Sequence, residues 1–174
     1  MELCREQTVC FTGHRQIPLE RDREIRLAAE STVRDLIMQG YDTFLVGGAL
    51  GFDTLAQLTV IRLRREFPFL RVVMAIPCRE QDSRWNSQDR AVYRQLCRLA
   101  DETILLREEY TDDCMLVRNR YMVEHSSRCV SLSLPITCIV YTIWHKWILI
   151  NRSIPIILSQ TLQRPTISIL RQIL

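Results

Sequence analysis

The stretch Thr43-Phe44-Leu45-Val46-Gly47-Gly48-Ala49-Leu50-Gly51-Phe52-Asp53 passes from a nearly continuous apolar run, through three closely spaced glycines, into a segment with helical spacing. Residues 43–46 have the composition of a strand buried on both faces, as strands of parallel sheets are. Beyond the glycines, Leu55, Ala56, Thr59 and Leu63 share one face, and the spacing predicts a helix from about Phe52 to Glu66. Glycine lets a backbone approach a bound group closely and take positive φ. Free N–H groups at a helix start, aided by the helix dipole, attract anions such as phosphate. Gly47, Gly48 and Gly51 are therefore candidate phosphate- or nucleotide-binding residues, set against the plainer reading of a tight βα turn. Asp53 also has two readings. An acid in the first helical turn stabilises the helix by roughly 0.3–1 kcal/mol; alternatively its carboxylate accepts a ribose hydroxyl. It is not the acid of the dinucleotide fingerprint, which lies about 20 residues further on.

Upstream, Thr8 to Thr12 is β-prone and closed by Gly13. Thr12-Gly13-His14-Arg15 then forms a second glycine-bearing turn. Arg15 offers a fork for phosphate or carboxylate, and His14 exchanges protons near neutral pH. A helical pattern follows through Ile25, Ala28, Ala29, Thr32, Val33, Leu36 and Ile37, with Gly40 as its C-cap candidate. Downstream of Pro68, Leu70 to Ile76 reads as a third strand. The polar stretch from Arg79 to Ser87 carries Trp85, either a stacking platform for a base or a cover for the core. The next helix presents Val92, Leu96 and Leu99 inward, and Thr103 to Leu106 is a fourth strand. Thr111-Asp112-Asp113 has the chemistry of a helix N-terminus. On that helix, Asn119 joins an inner stripe with Met115, Met122 and Val123, where a buried amide needs partners. Arg118 beside it reads as a solvated helix residue or as a group facing the same crevice. Cys129 to Leu134 is a fifth strand.

Repeated strand–helix alternation predicts an α/β domain with a mainly parallel sheet. In such sheets ligands bind at the carboxyl ends of the strands, and both glycine turns fall at that edge. No catalytic set stands out: there is no GxSxG elbow, no Walker lysine after the glycines and no HExxH. His14, His125 and His145 are too dispersed to suggest a metal.

The 174-residue length suits one domain able to bury a core without disulfides. A composition 47% hydrophobic and 25% charged excludes a disordered chain and a multi-span membrane protein. The net charge of +3 hides an asymmetry. All 20 acidic residues lie between Glu2 and Glu124, a stretch with 18 basic residues and a balance of −2. That balance argues against nucleic acid as a partner. Seven cysteines, an odd number with no CxxC pair, and no apolar leader before Glu2 predict reduced thiols in the cytoplasm. The best membrane window, Cys129 to Trp144, contains Pro135, stops at His145-Lys146 and is shorter than the ~20 residues a spanning helix needs, which argues against stable membrane insertion. A homo-oligomer stays open.

Together, TGHR at 12–15, GGALGFDTLA at 47–56, Ile76-Pro77-Cys78, Gln81, Trp85, Ala100-Asp101 and the run from Arg118 to Val123 resemble the YpsA-like family of the SLOG superfamily, which is related to DprA and to the LOG cytokinin-activating enzymes. The resemblance covers about residues 8–130. It implies a three-layer, Rossmann-like domain over residues 1–130 that binds a nucleotide or nucleotide-derived ligand such as ADP-ribose or NAD. It also implies a sensing or regulatory role in bacterial stress or cell division. By motif match, Thr12, Gly13, His14, Arg15, Gly47, Gly48, Gly51 and Asp53 carry over as ligand-site residues, with Arg118 and Asn119. A phosphoribohydrolase-type enzyme and an interaction module with a vestigial pocket are the competing readings. The family's second glycine motif has no counterpart, since no glycine follows Gly51, and the LOG acid has none, since no acid follows Glu124. Residues 131–174 therefore read as an atypical tail, either divergent or translated in a shifted frame.

Overall fold

A computed structural model describes residues 3–133 and 137–142. Six strands form one sheet: β1 (Thr8–Thr12), β2 (Thr43–Val46), β3 (Arg71–Ile76), β4 (Glu102–Leu105), β5 (Arg128–Ser133) and β6 (Thr137–Thr142). Between them run helices α1 (Asp22–Met38), α2 (Phe52–Leu63), α3 (Ser87–Leu99) and α4 (Cys114–Glu124). The strand order is β4-β3-β2-β1-β5-β6, parallel throughout except for β6, which returns antiparallel beside β5. This is the α/β, Rossmann-like architecture with a mainly parallel sheet that the alternation predicts.

Period-two side-chain alternation builds the three layers. Val9, Phe11, Phe44, Val46, Val72, Met74, Ile76, Val130 and Leu132 face α1, α2 and α3 in the main core. Cys10, Leu45, Val73 and Ala75 face the other way and meet Met122 of α4. β2 is buried at every position, which is why it reads as an unbroken apolar run. From β1 to β4 the chain builds outward in one direction, then crosses under the sheet through α4 and resumes beside β1 as β5. β1 and β5 therefore flank a topological switch point.

Several details differ from the sequence expectations. Helix α2 stops at Leu63, where Arg64 caps it. On α3 the buried positions are Tyr93 and Leu96, whereas Val92 and Leu99 are 39% and 38% exposed. The stripe is set by Tyr93, whose ring packs against Trp85. Asp113 does not cap α4 with its side chain; it pairs with Arg107 at 2.9 Å and accepts from Thr111 Oγ1 at 2.8 Å. Met115 is exposed. Cys4, Cys10, Cys78, Cys97, Cys114 and Cys129 are free thiols. Among the described residues no helix is long and apolar enough to cross a membrane. Of the membrane window, residues 134–136 and 143–144 lie outside the described residues, as does the rest of the tail from 145 to 174.

Candidate functional site

The loops that leave the carboxyl ends of β1 to β4 converge on a cleft of about 620 Å³. Gly13 and Arg15 come from the β1 loop, Ala49 and Leu50 from the glycine turn, Glu80 to Trp85 from the β3 loop, Tyr110 from the β4 loop, and Met115 and Arg118 from α4. The parallel arrangement explains this gathering: each crossover returns the chain to the same edge, so successive loops meet there.

The floor is the glycine turn, and Asp53 organises it. Its Oδ2 accepts the N–H groups of Gly47 and Ala49, each at 3.0 Å. Arg118 Nη1 lies 4.0 Å from the same oxygen and donates to the Gly47 carbonyl at 2.9 Å. Arg118 Nε donates to Asn119 Oδ1 at 2.9 Å, which gives that half-buried amide its partner. Burial pushes the Asp53 carboxyl up from its ordinary range, and Arg118 and the two N–H groups pull it back only in part. Burial likewise lowers Arg118, with Asp53 opposing, but a guanidinium keeps its charge in this range.

Two glycines are required by this geometry. Gly51 has φ +80°, and a Cβ there would lie 2.3 Å from the Arg15 carbonyl oxygen. That proximity joins the two glycine-bearing turns, with Phe52 N–H donating to the His14 carbonyl at 3.1 Å. A Cβ on Gly47 would lie 2.2 Å from Arg118 Nη1, so glycine is what admits the guanidinium. Above the turn, Gln81 Nε2 donates to the Gly48 carbonyl at 2.6 Å, while its buried Oε1 has no partner among the described residues. The N–H groups of Leu50 and Gly51 likewise have no acceptor among the described residues.

The rim is different. Arg15 and Arg84 are exposed, and neither meets a carboxylate among the described residues. The Arg15 guanidinium carbon lies over the Trp85 ring, 5.9 Å from its centroid. Tyr93 packs against Trp85 at 5.3 Å and 72°. Burial raises the Tyr93 phenol well above its ordinary range, so it stays neutral and supports the indole as a ring.

Of the residues singled out in the sequence, Gly13, Arg15 and Arg118 line the cleft, and Gly47, Gly48, Gly51 and Asp53 shape its floor from behind. Thr12, His14 and Asn119 are not among its lining residues. His14 is exposed, and it is its backbone carbonyl that holds α2. Glu80, Ser83, Arg84, Tyr110 and Met115 line the cleft although no sequence motif marked them. The signal that finds most of them is positional: polar residues directly after a strand of a parallel sheet lie at the ligand edge. Among the described residues no cluster of three or more His, Cys, Asp or Glu side chains is placed to hold a metal.

This chain is similar to several known proteins. It is 32% identical over 101 residues to the SPbeta prophage-derived protein YoqJ of Bacillus subtilis, covering 51% of this chain and 59% of that one. It is 30% identical over 104 residues to the UPF0398 protein BH1768 of Halalkalibacterium halodurans, covering 59% and 55%. The matches thus span less than two thirds of the length of these curated relatives. Among solved structures, DNA processing protein A from Helicobacter pylori, described for its single-stranded DNA binding mode, is similar at a TM-score of 0.48 and 19% identity, over 71% of this chain and 52% of that one. The model of the YspA SLOG family matches residues 9–133, most of the chain and every strand from β1 to β5 apart from the first residue of β1, and the chain belongs to that family.

Proposed function

We propose that this protein binds a phosphate-bearing nucleotide or nucleotide-derived ligand, such as ADP-ribose or NAD, in the cleft above β1 to β4, and acts as a sensor or regulator through that ligand. One observation carries the reading. Two arginines without carboxylate partners among the described residues, Arg15 and Arg84, share a cleft with an indole ring and with the N-terminus of α2. Arginine forks suit phosphate oxygens, the helix start adds N–H donors and a favourable dipole, and Trp85 offers a face for a base. The cleft volume is within the range of small-molecule sites. Asp53 fits the role of organiser better than that of ribose acceptor, because its Oδ2 already accepts two backbone N–H groups.

Isothermal titration of the purified chain with ADP-ribose, NAD, AMP and adenosine tests the proposal. Saturable 1:1 binding of at least one phosphate-bearing compound, lost on Arg15→Ala together with Arg84→Ala, is the expected result. No binding of any compound at millimolar concentration would overturn it.

A further inference from the structure

We infer that Arg15 is the specificity-determining residue of the cleft: by lying over Trp85 it makes stacking of a base conditional on a phosphate that draws the guanidinium away. The inference rests on the reading of the cleft as a nucleotide site and goes beyond it, because it assigns the choice between nucleotide and nucleoside to one side chain.

The geometry supplies the parts. The Arg15 guanidinium sits 5.9 Å from the Trp85 centroid, at the limit of a cation–π contact. Tyr93 braces the indole at a steep angle, so the ring is fixed and the arginine is the partner free to move. Arg15 is exposed, and among the described residues its side chain partners the indole alone. A planar base cannot share the ring face that the guanidinium covers. A bare nucleoside must displace that cation with nothing to receive it. A phosphate at the start of α2 gives the guanidinium a stronger, charge-assisted partner and uncovers the ring in the same event. Arg84 lines the same cleft and makes no ring contact among the described residues, so it serves as the control: a phosphate ligand that guards nothing.

The test is titration of ADP and adenosine into the wild type, Arg15→Ala and Arg84→Ala. Arg15→Ala should weaken ADP binding about tenfold or more, yet strengthen adenosine binding about two- to fivefold, the equivalent of an exposed cation–π contact. Arg84→Ala should weaken ADP and leave adenosine unchanged. In a Trp85→Leu background, removing Arg15 should give no adenosine gain. If adenosine binds Arg15→Ala no better than the wild type while ADP still binds the wild type, the gating role is overturned and the nucleotide reading stands. If neither ADP nor adenosine binds the wild type while ADP-ribose, NAD or AMP does, the gating role is overturned and the nucleotide reading stands; if none of these compounds binds, the cleft reading fails and takes the inference with it.

Discussion

Arg118 and Arg15 line one cleft, and the protein treats them differently. Arg118 is nearly buried, with Nη1 on the Gly47 carbonyl, Nε on Asn119 and Asp53 beside it. The Arg15 side chain is exposed and, among the described residues, meets only the ring of Trp85. The Asp53–Arg118 part of the floor is thus satisfied from within the protein and fixed, and the rim keeps its hydrogen-bonding capacity for something else. Charge in the floor serves folding, and charge in the rim is available for recognition. Mutations in the two regions should therefore separate: floor variants change stability, rim variants change binding.

The largest effect is expected from Asp53→Ala. It leaves the Gly47 and Ala49 N–H groups without their acceptor and a nearly buried guanidinium without its counter-charge, a loss on the order of 3–5 kcal/mol in urea unfolding. A loss below about 1 kcal/mol would mean that the floor is not the fixed element described above. Gly51→Ala follows, at about 3 kcal/mol, because it forces a Cβ against the Arg15 carbonyl at φ +80°. Trp85→Ala sits between the regions. It loses the Tyr93 contact and should cost about 1–2 kcal/mol of stability as well as weakening nucleotide binding. Arg84→Ala should be silent in thermal unfolding, within about 2 °C of the wild type, while lowering affinity for ADP-ribose about tenfold. A thermal loss as large as that of Asp53→Ala would erase the distinction between floor and rim.

The sequence carried the floor more clearly than the rim, for a physical reason. Strand β2, the glycines and the start of α2 are local in sequence, and each has its own signature: a double-sided apolar run, the absence of a Cβ, and a 3.6-residue period. Asp53 was legible as an important residue, but its role was not, because its partners are backbone N–H groups visible only once the turn has closed on itself. Arg118 lies 71 residues from Gly47, and nothing local shows that it enters the floor. The rim depends on such long-range meetings throughout. Arg84 and Tyr110 have no motif of their own and are placed only by the rule that loops after parallel strands share one edge. On α3 the misreading of Val92 and Leu99 had a related origin: the helix period allowed two neighbouring stripes, and the contact of Tyr93 with Trp85 chose between them.

The most direct measurement is a thermal unfolding scan of the full chain with and without ADP-ribose, NAD and AMP, run beside the Arg15→Ala/Arg84→Ala double variant. Binding to the native state alone raises its stability. The expected result is one cooperative transition whose midpoint rises with at least one phosphate-bearing ligand in the wild type and stays put in the double variant. An equal rise in both proteins, or a cooperative transition that no ligand moves, would contradict a cleft whose rim exists for recognition.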